Sequence, residues 1–190
     1  MTKTIVLVVW AVVVAAAMAA PLPVPSPVAP PPVQQMKLAL QRVQPSSWKK
    51  LEYATGAAAA VARPTSKRVW ISTMKVPGQN NFAKAGFKLP PVSVGGSIPG
   101  ARVKATFSIE AIEGYVGYEV MVVTEEGALI NVASNSGSST LTNYQLTSPT
   151  FTIEPNKHYV VSADVWTDVE RAPGAVAWAV ATISDISWDF

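Results

Sequence analysis

The sequence predicts an all-β protein: an antiparallel two-sheet β-sandwich, jelly-roll or immunoglobulin-like, behind an N-terminal hydrophobic leader and a Pro-rich spacer. Three observations predict it. From Lys67 onward, β-branched and aromatic residues fall in short runs that alternate with polar ones. Glycine, proline and asparagine pairs break these runs about every 8–12 residues, the rhythm of a sandwich. No amphipathic helical period interrupts this region.

The elements follow in order. Lys3 precedes an unbroken apolar run from Ile5 to Ala20, with small residues at Ala17 and Ala19. This is the pattern of a signal peptide over residues 1–19. A retained membrane anchor is the competing reading, although the run is short of the roughly 20 residues of a membrane span. Residues 20–35 form a proline-rich spacer, expected to be extended polyproline II. Residues 36–66 are an N-terminal extension. Within it Met36, Leu38 and Leu40 alternate with Lys37, Ala39 and Gln41, and Val43 follows. That alternation predicts a half-buried strand over 36–44, with a helix as the competitor because these residues also favour helices. Trp48 to Ala62 carries an alanine-rich patch with no clear period.

Residues 67–190 are the sandwich domain. Ser66 to Val76 and Phe82 to Leu89 are strand-like runs, separated by the turn Pro77-Gly78-Gln79-Asn80-Asn81. Ala101 to Ile112 alternates, with Val103, Ala105, Phe107 and Ile109 on one face. Tyr115–Thr124 and Ala128–Ala133 flank Glu125-Glu126-Gly127 as a hairpin. Residues 134–143, rich in serine, threonine and asparagine, are expected to be a loop. The last strands are Thr150–Ile153, His158–Thr167 and Val176–Trp188. The segment Phe151–Trp166, FTIEPNKHYVVSADVW, is similar to the late corner of immunoglobulin-like, fibronectin-like and carbohydrate-binding jelly-roll sandwiches alike, and implies architecture only.

Composition narrows the chemistry. There is no cysteine, which excludes disulfides, thiolate metal sites and cysteine nucleophiles. Charged residues are 14% of the chain, below the roughly 25% of ordinary soluble domains. That favours an extracellular or cell-surface location. His158 is the only histidine, so no multi-histidine metal site exists. No dense Asp/Asn loop for calcium and no phosphate-cradling glycine motif is present. No catalytic residue, metal or cofactor is assigned, and the chain is expected not to be an enzyme. Glu110, Glu119 and Asp164 are the acids that a hydrolytic pair would have to use.

Two surfaces are expected to make contacts. Trp166 falls on the polar face of its strand with His158 and Asp164. With Tyr144 these form a candidate ligand platform, which Tyr115 and Tyr118, also near turns, could join, since tryptophan offers an apolar ring with a polar edge. In the last strand Ala175, Ala177, Ala179 and Ala181 form a flat apolar face that a neighbouring subunit could cover. Trp178 and Trp188 are assigned to the core on the opposite face. Charge is also divided along the chain. Twelve bases against one acid lie between Ala20 and Lys104, and two bases against eleven acids lie beyond.

The leading expectation is a self-assembling, non-enzymatic surface or filament subunit, a homo-oligomer or polymer. The 36–44 strand would pair with a neighbour through Met36, Leu38, Leu40 and Val43, similar in logic to donor-strand pili. Basic halves would meet acidic halves across subunits. A carbohydrate-binding module with polysaccharide as partner is the first alternative, and a virion structural protein with an N-terminal anchor is the second. Nucleic acid is disfavoured because no basic run exists, and membrane contact would involve only the N-terminal segment.

Overall fold

The structure, a computed structural model, describes residues 32–41, 47–168 and 175–190. Among the described residues one helix, α1 (Pro32–Gln41), precedes eleven strands. They are β1 (Lys49–Thr55), β2 (Ala58–Arg63), β3 (Arg68–Met74), β4 (Phe82–Lys88), β5 (Ile98–Glu113) and β6 (Val116–Thr124). β7 (Leu129–Gly137), β8 (Leu141–Thr147), β9 (Phe151–Ile153), β10 (Tyr159–Asp168) and β11 (Val176–Asp189) complete the set. Two antiparallel sheets pack face to face, ordered β1-β4-β10-β6-β7 and β2-β3-β11-β5-β8, with β9 added on β5. The chain is an all-β sandwich.

Alternation explains the core. Val69 and Ile71 of β3, Ala85 and Phe87 of β4, and Val103 and Phe107 of β5 all point between the layers and are at most 2% exposed. Their sequence neighbours face outward. The hairpin at Glu125-Glu126-Gly127 forms as read, with Gly127 at positive φ.

Four expectations are corrected. The predicted strand at 36–44 is helical as far as Gln41. Its alternation also contains the i,i+4 pair Met36 and Leu40, and a helix puts those two on one face. Leu40 is buried and Met36 packs on the core, while Leu38 is 39% exposed. Pro32 begins the helix, where a missing N–H costs nothing, so the polyproline spacer stops short of Gln35. Val43, the leader and residues 20–31 lie outside the described residues.

The sandwich also begins earlier than residue 67. β1 pairs with β4 and β2 pairs with β3, which places the alanine-rich patch inside the domain. Trp48, just before β1, is buried against Phe87 at 5.5 Å between ring centroids. The expected loop 134–143 is mostly strand: β7 runs to Gly137 and β8 starts at Leu141. Polar side chains hid these two because both are half-exposed edge strands.

The fourth correction concerns β11. Ala177, Ala179 and Ala181 are at most 1% exposed and face the core, so they are no docking face; Ala175, before the strand, is exposed. Val176, Trp178 and Val180 are the outward, half-buried set. A register shift between Ile183 and Asp185 leaves Ser184 as an extra residue. Such a bulge reverses which parity points inward. Ile186 and Trp188 therefore join the alanines in the core, at 3% and 2% exposure.

Candidate functional site

β4, β10 and β6 lie side by side, and their register assembles the outer face of the five-stranded sheet. Lys84 stands opposite Trp166, and Gly86 opposite Asp164. On the other flank Asp164 stands opposite Glu119, and Trp166 opposite Gly117. Tyr53 of β1 is opposite Lys84. Even-numbered residues of β4 and β10 thus share one face with Glu119.

Aromatic rings cross this face near one end of the sheet. Trp166 and Phe82 stack at 6.3 Å with planes 23° apart. Tyr53 continues the row at 6.1 Å from Phe82, and Tyr115 extends it at 6.4 Å from Trp166. Tyr53 is 55% exposed, and the other three are half-buried. Two contacts steady Tyr115: its hydroxyl bonds Ser136, and Thr167 donates to its carbonyl at 3.0 Å. Trp166 lies flat because its neighbour is glycine. A Cβ on Gly117 would sit 2.1 Å from Trp166 Cε2. Phe82, Glu119, Trp166 and Asp168 line a shallow depression of about 260 Å³. It is small beside the roughly 300–1,000 Å³ of drug-sized pockets.

Beside the rings lies a compact ionic group. Lys84 Nζ is 2.5 Å from Glu119 and 3.2 Å from Asp164. Asp164 is fully buried. Burial pushes its carboxyl well above the usual carboxylate range, with the Lys84 ammonium opposing and the Glu119 charge reinforcing. Burial also pulls Lys84 downward, but the two carboxylates outweigh it and hold the ammonium above its ordinary value.

Of the four residues read as a platform, Trp166 alone stands on it. Asp164, on the polar face of its strand, is nevertheless covered, because Lys84 and Glu119 close over it. His158 sits in the turn before β10, 3.5 Å from Glu125 and roughly 26 Å from Trp166 at about 3.3 Å per strand residue. Tyr144 belongs to the other sheet, set edge-on against Tyr118 and bonded by Asn135. Phe82, Tyr53, Glu119 and Asp168 were not recognised as platform residues. The alternation of Phe82, Lys84 and Gly86 against Ala83, Ala85 and Phe87 would have put Phe82 on an outer face.

Part of the charge division closes within the chain. Arg68 pairs Glu110, Lys84 pairs Glu119, and Arg102 pairs Asp189 at 2.6 Å, each joining the basic half to the acidic half. On the opposite sheet Val61, Trp70 and Val180 floor an apolar groove of about 420 Å³, bordered by Arg63 and Arg68.

No protein-family model and no curated protein sequence matches the chain. Solved structures similar to it include TmCBM61 in complex with beta-1,4-galactotriose, at 15% identity and TM-score 0.34, over 77% of this chain and 90% of that one. Bacteriophage CBA120 tailspike protein 4, in its enzymatically active domain, aligns at 11% identity and TM-score 0.33, over 78% of this chain. Arabinose-bound MgGH51 α-L-arabinofuranosidase aligns at 12% and 0.37, also over 78% of this chain. The chain spans only 20% and 25% of those last two.

Proposed function

We propose that this chain is a non-catalytic carbohydrate-binding module that acts outside the cell and takes neutral sugar chains on the outer face of the five-stranded sheet. One observation carries the proposal: the row Tyr53, Phe82, Trp166 and Tyr115, with Glu119 and Asp168 at its side. The C–H face of a pyranose is apolar and its rim is polar. Aromatic rings cover the face, and carboxylate oxygens accept bonds from the hydroxyl rim. A shallow floor suits rings laid flat along a chain, and acids at its border disfavour anionic sugars.

Binding without turnover is part of the proposal. The acid pushed toward its neutral form, Asp164, is sealed from any ligand. Assembly by strand exchange has less support, because the candidate strand is helix α1, packed on the core. On the edge strand β7, the amides of Val132 and Ser136 are bonded by the side chains of Asn131 and Asn135. Those side chains in turn reach Pro149 and Tyr144. An edge capped in this way resists further pairing.

Calorimetric titration with soluble glucans, xylans, galactans and mannans tests the proposal. One class should bind the wild type. Trp166→Ala should weaken that binding by at least about 2 kcal/mol, roughly thirtyfold in Kd, as expected for a central aromatic anchor. Equal affinity in the variant would remove the platform.

A further inference from the structure

The ionic group beside the platform is arranged for covalent chemistry. Its three side chains come from adjacent strands in fixed register: Lys84 on β4, Asp164 on β10 and Glu119 on β6. Lys84 Nζ lies 3.2 Å from Asp164 Oδ1 and 2.5 Å from Glu119 Oε1. Neither oxygen of Asp164 is hydrogen-bonded, so its contact with the ammonium lacks hydrogen-bond angles. The group is shielded: Asp164 is fully buried, and the Lys84 and Glu119 side chains are 19% and 16% exposed. Gly86 lets Asp164 sit flush with the sheet, since a Cβ there would fall 2.5 Å from the Asp164 Cβ.

We propose that Lys84 and Asp164 condense into an intramolecular isopeptide bond, with Glu119 as the proton carrier. The Lys84 Nζ lone pair attacks Cγ of Asp164, an N–C bond forms, and one C–O bond breaks. Of the three protons on the ammonium, one stays on the amide and two leave with the departing oxygen as water. No oxidant, reductant or co-reactant is needed. Glu119 first relays one proton from the ammonium to an Asp164 carboxylate oxygen, which frees the Nζ lone pair and makes the acid neutral. After attack it relays a second proton from the nitrogen to that oxygen, which leaves as water, and Glu119 ends as it began. Burial favours the neutral, electrophilic form of Asp164 that this first transfer creates, whereas Lys84 favours its charged form, which is why a base in contact with Nζ is required. Amide formation in open water is opposed by the solvent. Here the reactants are pre-positioned, and such intramolecular arrangements reach effective molarities of about 10⁵–10⁸ M. The bond would tie β4 to β10 in a chain without cysteine, and it is independent of any ligand.

Intact mass and proteolytic mapping of the purified full chain test this. The expected result is a wild-type protein lighter by one water, with a branched peptide that joins the segments containing Lys84 and Asp164. Lys84→Arg and Glu119→Ala should each restore the full mass. A wild type of unmodified mass, with Lys84 and Asp164 in separate linear peptides, overturns the proposal. Loss of water that persists in Lys84→Arg overturns it too, by placing the dehydration elsewhere. A branched peptide in Glu119→Ala overturns the role given to Glu119.

Discussion

Lys84→Ala is expected to be the most destabilising single substitution on the outer sheet face, costing at least about 3–5 kcal/mol in urea denaturation, because it strands a buried carboxyl without its cation. Asp164 has no other cation and no hydrogen bond among the described residues, and solvent does not reach it. The double variant Lys84→Met/Asp164→Leu separates two contributions. Replacing both members of a buried ion pair by apolar groups is often neutral. An ionic group alone therefore predicts recovery close to wild-type stability. A covalent tie adds the entropy of a closed loop of about 80 residues, near 4–5 kcal/mol on the chain-entropy relation. In that case the double variant stays below wild type by that amount, and Glu119→Ala falls with it.

Gly117→Ala should disable ligand binding almost as fully as removing the indole. A methyl group at Gly117 would overlap Trp166, at 2.1 Å from Cε2 and 2.2 Å from Cζ2. Backbone cannot yield in the middle of a paired sheet, so the ring must lift from the strand and leave its stack with Phe82. Affinity for the sugar chain is expected to fall by tenfold or more, while overpacking costs only about 1–3 kcal/mol of stability. Far-ultraviolet circular dichroism should stay wild-type, and calorimetric titration should not. An unchanged affinity would mean that the flat seating of Trp166 is irrelevant.

The layered architecture was legible because β5 and β6 bury one parity and leave the other more exposed, and that period is local. α1 was misread because Met36, Leu38 and Leu40 satisfy a strand period, while the decisive contact, Met36 beside Gly96, is distant in sequence. The alanine face of β11 was misassigned for a different reason. One extra residue at Ser184 changes the parity, and nothing in the composition of the strand announces it.

At the site, Trp166 was legible as an aromatic residue among polar ones. Tyr115 was legible as an aromatic near a turn, but Phe82 was not, because it lies far away in sequence and reaches Trp166 only through strand order. Asp164 shows the same limit. Period two placed it beside Trp166 on an outer face, but Lys84 and Glu119 on the flanking strands decide that it is buried. The arrangement of charge was legible only as two halves of the chain. Sheet topology turns those halves into neighbours, and Arg68, Lys84 and Arg102 find their acids inside one molecule.

Backbone and indole amide shifts, followed by nuclear magnetic resonance during titration with the sugar chain that binds, test the central claim most directly. The expected result is a cluster of shifts at Tyr53, Phe82, Tyr115, Glu119 and Asp168 and at the indole N–H of Trp166. Shifts gathered instead around Trp70, Val61 and Val180 on the opposite sheet would contradict the account, as would a spectrum that no neutral polysaccharide disturbs.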